Sequence, residues 1–325
     1  MPASLPRLRI LTWHVHGNYL WYLTQVPHAF YLATNAQRST HHTGRSGTLP
    51  WGDNVHEAPV ESLRDMDFDL VLYQSRAEFE QAQSLLSPAQ KRLPAVYLEH
   101  DPPLENPTDQ RHWADRDGIT IVHVTGFNAL MWDHRESPVE VIEHGVRLLA
   151  DARYDGHLAA GVTVANNIGT RGRRLGADVF LQLRQQVPLT LVGMGSLDLQ
   201  GHGEVGNRDL PSFIASYRFF FNPIRYTSLG LSVIEAMQVG LPIVGLATTE
   251  MPTVIVNGVN GWLDTRPERL VGVMRELLAD RALARQWGDA ARETALTRFG
   301  IDRFVADWDR LLTRVAGRPQ DDAVR

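Results

Sequence analysis

The residues with the most evident chemistry lie in the segment 222–244, NPIRYTSLGLSVIEAMQVGLPIV. The segment follows an apolar strand, turns at Thr227 and Ser228, and enters a predicted helix near Leu229. Ser228 is the predicted N-cap of this helix. A helix N-terminus offers free backbone N–H groups and a partial positive charge, and Gly230 would let an anion approach the backbone closely. This segment is therefore suited to a diphosphate, which would contact residues 227–230.

A carboxylate further along the same predicted helix suggests a second contact. Glu235 lies between Ile234 and Ala236, and a carboxylate among apolar neighbours should be paired or hydrogen-bonded. A ribose diol offers two hydroxyl donors in suitable geometry. Glu235 is therefore a candidate ribose ligand.

An arginine-rich turn, GTRGRRLG at residues 169–176, supplies positive charge. A departing nucleoside diphosphate gains negative charge in the transition state, and guanidinium groups stabilise such charge through bidentate hydrogen bonds. We expect at least one of Arg171, Arg173 and Arg174 to act in this way, and the sequence leaves open which one. The alternative interpretation is a solvated basic turn.

Two patterns resemble metal sites, and neither is predicted to be one. His14 and His16 alternate at the end of the first predicted strand, but two histidines without a third ligand more often pack or form hydrogen bonds. The acidic run DMDFD at 65–69 precedes a strand, at the wrong end of a parallel sheet for a ligand site, so it is predicted to be a solvated turn.

The segment 235–242, EAMQVGLP, resembles the donor-site signature of the GT-B glycosyltransferases, specifically the large retaining family 4. That signature consists of a glutamate, seven residues, a second glutamate and then Ala-Met-x-x-Gly-x-Pro. The resemblance extends to IEHGV at 142–146, LVGMG at 191–195 and NGVNGWL at 257–263. Together these motifs are specific, although each one alone is weak.

The resemblance implies roles for residues in both halves of the chain. Glu235 would bind the ribose, Thr227 stands where the family has its first glutamate, and Gly193 ends a strand of the nucleotide domain. Leu175 occupies the place of a lysine, so Arg173 or Arg174 would supply the charge. His100 would lie near the donor sugar, and the loop at Gly17 and Asn18 would approach the phosphates or the acceptor. The predicted catalytic residues are His100, Arg173, Arg174 and Glu235, and the predicted donor-binding residues are Gly17, Asn18, Arg171, Gly193, Thr227, Ser228, Leu229, Gly230 and Glu235.

Apolar strands that alternate with helical stretches position these residues and indicate parallel sheets covered on both faces. The stretch 36–58 has almost no apolar period and is predicted to be a long surface loop, which either captures an acceptor or is a mobile insertion. Strands are predicted at 8–15, 69–74, 94–99, 119–124, 139–143, 161–166, 189–193, 218–222 and 242–247, and helices at 175–186, around 213–217, and at 229–239, 268–279 and 302–315.

The predicted fold class is α/β, as a GT-B fold with two doubly wound Rossmann-like domains facing a central cleft. Residues 1–150 would form the acceptor-side domain and residues 151–301 the nucleotide-sugar domain. The resemblance implies that residues 302–325 form a helix that crosses back onto the first domain, anchored by Trp308, followed by a frayed tail. Apart from the acidic run at 65–69, the motifs quoted above then lie at the carboxyl ends of strands, where ligands bind in such sheets.

Composition narrows the functional classes. The chain has 32 lysines and arginines against 37 aspartates and glutamates, a formal net charge of −5. This balance excludes a basic nucleic-acid arm and allows at most weak peripheral membrane contact. The absence of cysteine excludes disulfides, thiolate zinc sites, iron–sulfur clusters and a cysteine nucleophile. No signal peptide or membrane-spanning run is expected, so the predicted location is cytoplasmic.

The leading hypothesis is a retaining glycosyltransferase that needs no metal or other cofactor. It would move a sugar from a nucleotide-diphosphate sugar to a carbohydrate or lipid-linked acceptor. Two alternatives remain: a GT-B nucleotide-sugar epimerase, and a catalytically silent nucleotide-sugar-binding subunit, which Thr227 and Leu175 would favour. A dinucleotide-dependent dehydrogenase is disfavoured because no G-x-G-x-x-G opens a helix after an N-terminal strand.

Overall fold

The computed structural model describes residues 7–116 and 118–317. The chain divides into two compact units. The first unit combines the chain up to Gly145 with the segment that starts at Ile301, and the second unit is Val146–Gly300. The predicted frayed tail, residues 318–325, lies outside the described residues.

Each unit is built on one sheet, and every strand pair within the two sheets is parallel. The strands of the first unit are β1 Arg9–Thr12, β2 Ala29–Thr34, β3 Val55–Pro59, β4 Leu70–Tyr73, β5 Ala95–Glu99, β6 Ile119–His123 and β7 Val139–Val141. Those of the second unit are β8 Leu158–Val164, β9 Leu189–Val192, β10 Tyr217–Asn222, β11 Ile243–Leu246 and β12 Gly261–Asp264.

Helices connect these strands. They are α1 Gly17–Leu23, α2 Arg76–Leu85, α3 Gly126–Met131, α4 Gly172–Leu175, α5 Ala177–Arg184, α6 Leu210–Ala215, α7 Leu231–Val239, α8 Met251–Val254, α9 Pro267–Ala279, α10 Arg281–Arg298 and α11 Ile301–Val315.

In both sheets, the order in which strands are added reverses next to the first strand of the unit. The strand order is β3-β2-β1-β4-β5-β6-β7 in the first unit and β12-β11-β10-β8-β9 in the second. In each unit the chain first builds outward on one side and then continues on the other, so the reversal falls between β1 and β4 and between β8 and β10. Ligands of doubly wound sheets bind beyond the carboxyl ends of the strands at this point.

The core of the first unit lies on its central strands. Trp13 stacks on Tyr73 with 5.7 Å between ring centroids, and the edge of Phe79 meets both Tyr73 and Tyr97. These aromatic rings, together with the aliphatic residues of β1, β4 and β5, are almost completely buried. Their burial fixes the strand ends from which the polar residues described below project.

The last helix, α11, packs within the first unit. Its buried residues Phe304, Trp308, Leu311 and Leu312 recur at the spacing of one helical face. The Phe304 ring lies 5.5 Å from that of Tyr19, and a Cβ added at Gly145 would meet the Phe304 Cβ at 2.1 Å. This glycine therefore permits the close approach of the helix.

Several element boundaries differ from the sequence-based expectation. The first strand ends at Thr12, and Gly17 begins a helix. The predicted strands do not include β2, β3 or β12, and β3 occupies the end of the segment 36–58 that was predicted to be all loop. Because β3 is an edge strand with exposed His56 and Pro59, its apolar period is too weak to recognise.

Candidate functional site

The loops after β8 and β10 touch at the point where the second sheet reverses. The carbonyl oxygen of Arg174 accepts hydrogen bonds from the backbone N–H groups of Arg225, at 3.0 Å, and Tyr226, at 3.3 Å. The Arg225 Nη1 donates to the carbonyl oxygen of Arg173 at 2.7 Å. The arginine-rich segment and the segment 223–230 are therefore held together as one surface.

Gly176 makes this contact possible. It ends α4 and precedes α5 with φ +77°, a conformation that other residues rarely adopt. A Cβ at this position would lie 1.9 Å from the carbonyl oxygen of Pro223, which follows β10. Only glycine allows the backbone after β8 to come this close to the backbone after β10.

The three arginines of the predicted diphosphate site have different surroundings. Arg173 is 77% exposed, and its Nη1 binds Asp178 Oδ2 at 2.7 Å. Arg174 is half-buried in α4, and Arg171 is exposed at the start of that short helix. The Arg173 guanidinium is already paired with a carboxylate, whereas the backbone of Arg174 is fixed through its carbonyl oxygen.

Asp178 links the arginines of both loops. Arg225 binds it through two nitrogen atoms, at 2.6 Å and 2.8 Å. The hydrogen bond from Arg225 is the main cause that lowers the pKa of Asp178 below its usual value, with further contributions from the charges of Arg225 and Arg173. Asp178 is thus ionised and holds Arg225 in place.

The helix that carries the motif glutamate begins later than expected. Ser228 is not its N-cap, as the sequence predicted; the N-cap is Gly230, with φ −70° and ψ 135°. Leu229 is 2% exposed and packs into the core before the helix starts, so the cap shifts two residues along the chain. Because Gly230 has no side chain, it cannot accept hydrogen bonds from the first N–H groups of α7 as a serine or aspartate N-cap would. This arrangement suits an incoming anion.

Glu235 lies in a run of seven buried residues, Val233–Val239. It is 9% exposed and stands one helical turn after Leu231. Because side chains in a helix lean toward its N-terminus, Glu235 is directed toward the turn that contains Gly230. Thr227, half-buried, lies just before that turn.

Gly193 lies where the loop after β9 packs closely against the loop after β8. It has φ +127°, and a Cβ there would lie 2.7 Å from the carbonyl oxygen of Ala165 and 2.8 Å from Asn166 Oδ1. The Asn166 side chain accepts a hydrogen bond from the Met194 N–H at 2.9 Å. The structure therefore places Gly193 at the carboxyl edge of the second sheet, beside the loop that leads to the arginines.

In the first unit, His100 follows β5 and lies among aromatic rings. It is 9% exposed, and its ring centroid lies 4.4 Å from that of His16 and 4.8 Å from that of Tyr19. Burial, with smaller contributions from His16 and His144, lowers its pKa well below the usual value. His100 is therefore neutral at physiological pH.

The neighbours of His100 belong to the segment around Gly17 and Asn18. Gly17 is the first residue of α1 rather than the end of a loop, and a Cβ there would lie 3.1 Å from His14 Nε2. His16 precedes this helix and Tyr19 lies within it. The structure thus brings the start of α1 and the end of β5 together. A helix stands where a loop was predicted, because β1 ends at Thr12 and not at the predicted residue 15.

The predicted site residues do not include several buried polar residues at the same edge of the first sheet. Gln74 follows β4, Glu99 ends β5, and Glu78 lies in the first turn of α2. Burial raises the pKa of Glu99 to about 8, and its Oε2 lies 3.1 Å from His112 Nε2. Two sequence patterns could have identified them. Gln74 and Glu99 are polar residues at the carboxyl ends of apolar strands, and Glu78 completes the pattern Ser-x-x-Glu at the start of a helix.

The described residues, 7–116 and 118–317, contain no group of three or more histidine, cysteine, aspartate or glutamate side chains arranged to hold a metal ion. His14 and His16 accordingly do not form part of such a group. Over the same residues, no helix combines the length and the apolar character needed to cross a membrane.

Comparisons with known proteins identify the fold. Residues 198–294 match the family model described as glycosyl transferases group 1. Anabaena Alr3699/HepE, solved in complex with UDP and glucose, has a TM-score of 0.73 at 14% identity, over 95% of this chain and 100% of that chain. Sucrose-phosphate synthase from Thermosynechococcus elongatus has a TM-score of 0.69 at 15% identity, over 96% and 100%.

A third solved structure, S. aureus TarM with fondaparinux, α-GlcNAc-glycerol and UDP, has a TM-score of 0.62 at 15% identity, over 78% of this chain and 57% of that chain. No curated protein matches the chain. The chain therefore has the GT-B fold, which confirms the fold class predicted from the sequence. It resembles group 1 glycosyl transferases over a segment that contains Thr227, Gly230 and Glu235.

Proposed function

We propose that this protein is a retaining, metal-independent glycosyltransferase that moves a sugar from a nucleoside-diphosphate sugar to an acceptor hydroxyl. The observation that carries the proposal is the joined surface of the arginine segment and the segment 223–230 at the reversal of the second sheet. It combines guanidinium groups with a helix N-terminus, and both bind phosphate groups in proteins.

Within this surface, Arg174 is the arginine proposed to bind the diphosphate, with Arg171 beside it. Arg173 is less suited because it is 77% exposed, whereas Arg174 is half-buried beside the segment 223–230. Glu235 is proposed to accept hydrogen bonds from the ribose hydroxyls. Residues Thr227–Gly230 would contact the diphosphate and the sugar, and Gly193 would let the nucleotide approach the strand ends. His100, with Gly17 and Asn18 nearby, is proposed to position the sugar.

The proposed reaction is a front-face substitution at the anomeric carbon. The bond from that carbon to the diphosphate oxygen breaks, and the acceptor oxygen bonds to the same face. The departing phosphate oxygen takes the acceptor proton, so no protein nucleophile is needed. Arg171 and Arg174 would stabilise the charge that develops on the leaving diphosphate, where preorganised charge has its largest effect.

The donors to examine first are UDP-sugars, because HepE and TarM are solved in complex with UDP. The test is a thermal-shift screen of nucleoside-diphosphate sugars, followed by detection of the nucleoside diphosphate released with and without acceptors. Stabilisation with release supports the transferase, and NMR of the product then reports retention or inversion at the anomeric carbon. Activity that EDTA abolishes would contradict metal independence.

A second candidate is a catalytically silent nucleotide-sugar-binding subunit. Thr227 stands where a glutamate is expected, and a neutral hydroxyl binds a sugar hydroxyl more weakly than a carboxylate does. This candidate predicts donor binding with no release of nucleoside diphosphate under any acceptor. Absence of stabilisation by every donor and by free diphosphates would contradict both candidates.

A further inference from the structure

Gln74 lies at the carboxyl end of the strand next to the reversal of the first sheet. It is 4% exposed and follows β4, which has β1 on one side and β5 on the other. Its side-chain Nε2 donates to Thr12 Oγ1 at 3.1 Å and to the carbonyl oxygen of Trp13 at 3.0 Å. Because a backbone carbonyl can only accept, the amide nitrogen must face Trp13 and the amide oxygen must face the other way.

The amide oxygen of Gln74 faces His100. Gln74 Oε1 lies 3.3 Å from His100 Nε2. An amide oxygen can only accept, so the hydrogen of this contact must lie on Nε2 of the imidazole. A neutral imidazole carries one hydrogen, and Nδ1 then holds the lone pair and is the acceptor of the ring.

The backbone around Gln74 is fixed as firmly as its side chain. Its N–H donates to Glu78 Oε2 at 3.1 Å, and the Glu78 N–H donates to Ser75 Oγ at 3.4 Å. This reciprocal pattern at the start of α2 is a capping box displaced by one residue. His41 Nδ1 lies 3.1 Å from the other oxygen of Glu78, whose side chain is fully buried. Rotation of the Gln74 amide would break two buried hydrogen bonds, so its orientation is strongly determined.

We infer that Gln74 is a positioning residue that holds His100 as the Nε2–H tautomer, so that His100 Nδ1 is presented as a hydrogen-bond acceptor for a sugar hydroxyl. This inference rests on the proposed function for the identity of the ligand, but the tautomer itself follows from the contacts within the first unit. His100 is further fixed through its carbonyl oxygen, which accepts from Asn128 Nδ2 at 3.2 Å.

The direct test is ¹⁵N NMR of the full-length protein labelled at histidine. In the unmodified protein, the ring of His100, assigned by comparison with His100→Gln, should give a protonated Nε2 signal and an unprotonated Nδ1 signal at about pH 7. Gln74→Met, which keeps the side-chain length but removes the amide, should lose this pure pattern. Thr12→Val is the matched control, because it removes one hydrogen bond to Gln74 and leaves the contact between Gln74 and His100.

The outcomes separate the inference from the proposed function. An Nδ1–H tautomer in the unmodified protein would overturn the inference, and this reading needs no variant to fold. An unchanged pattern in a folded Gln74→Met would overturn it as well. With a donor identified, Gln74→Met should lower kcat about 10- to 100-fold, the scale for a misplaced contact, and leave the affinity for UDP unchanged. If no donor is turned over, the proposed function fails, but the tautomer result still stands.

Discussion

Arg225 binds Asp178 through both terminal nitrogens of its guanidinium, with Nη1 2.6 Å from Oδ1 and Nη2 2.8 Å from Oδ2. The same Nη1 donates to the carbonyl oxygen of Arg173. A residue after β10 and a residue of α5 thus jointly hold the backbone of the arginine segment after β8. The Arg225–Asp178 pair is consequently structural support for the proposed diphosphate site.

Removal of this support should weaken diphosphate binding with little effect on folding. We expect Arg225→Ala to lower the affinity for UDP about threefold to tenfold, since it loses the side-chain hydrogen bonds to Asp178 and to the Arg173 carbonyl oxygen, which hold the backbone beside Arg174. The free energy of unfolding should change by less than about 1 kcal/mol, because the pair is partly exposed to solvent. Isothermal titration calorimetry and urea unfolding check the two quantities.

Arg173→Ala is the matched control for this prediction. Arg173 also binds Asp178 but is mostly exposed, so its loss should leave the affinity for UDP within about twofold. A large loss of affinity in Arg173→Ala and none in Arg174→Ala would reverse the assignment of the diphosphate-binding arginine.

Glu235→Gln should weaken nucleotide binding by roughly 1.5–3 kcal/mol, the scale of a hydrogen bond to a charged group. In the proposed role, the carboxylate would accept from both ribose hydroxyls, whereas an amide offers only one acceptor oxygen. Titrations with UDP measure the loss. Inorganic pyrophosphate, which has no ribose, should bind both proteins equally. Unchanged affinity for UDP would remove Glu235 from the ribose role.

Gly176→Ala should strongly destabilise the second unit. The substitution places a Cβ at φ +77° and 1.9 Å from the carbonyl oxygen of Pro223, so the backbone after β8 or β10 must move. Gly172→Ala is the control, because Gly172 has φ +56° with no atom within 4 Å of the added Cβ. The control should cost only the left-handed strain of about 1–2 kcal/mol. Urea unfolding should show a clearly larger loss for Gly176→Ala, and equal losses would contradict the close contact.

Trp308→Ala should destabilise the first unit by about 3–5 kcal/mol, the cost of removing a large buried aromatic side chain. Trp308 is fully buried on the apolar face of α11. Arg310→Ala, on the exposed side of the same helix, should change stability by less than about 0.5 kcal/mol. Thermal unfolding followed by circular dichroism measures both. A small effect of Trp308→Ala would show that the helix contributes little to the unit.

Glu99 should make stability fall as pH rises. Burial raises its pKa from the ordinary value of 4.5 to about 8, so the folded protein binds more protons than the unfolded chain between these values. Stability therefore decreases with rising pH across this window. The buried His112, whose pKa burial lowers to about 3, has the opposite effect, and that effect appears only below its ordinary value of 6.5.

Urea unfolding at several pH values between about 7 and 8 therefore isolates the contribution of Glu99 from that of His112. The hydrogen bond to Glu78 raises the pKa of His41, and burial raises the pKa of Glu78, so both shifts have the same sign as that of Glu99. The comparison of the unmodified protein with Glu99→Gln removes the shared His41 contribution. Equal slopes in the two proteins would show that Glu99 does not titrate in this window.

The sequence by itself determined the alternation of strands and helices and the resemblance that names the fold. Buried parallel strands are nearly continuous apolar runs, so β4, β5, β10 and β11 were recognisable from local composition. The motif EAMQVGLP was recognisable because its residue types and spacing are local.

Tertiary structure alone decided which residues lie together and in what protonation and hydrogen-bonding state. Whether Ser228 or Gly230 caps α7 depends on the packing of Leu229. The backbone of the arginine segment is held by Asp178 and Arg225, which no local pattern joins to the turn. The neutrality of His100 and its tautomer depend on burial and on Gln74, 26 residues away. Burial and long-range hydrogen bonds arise only when distant segments come into contact, so they cannot be predicted from the periodicity of the sequence.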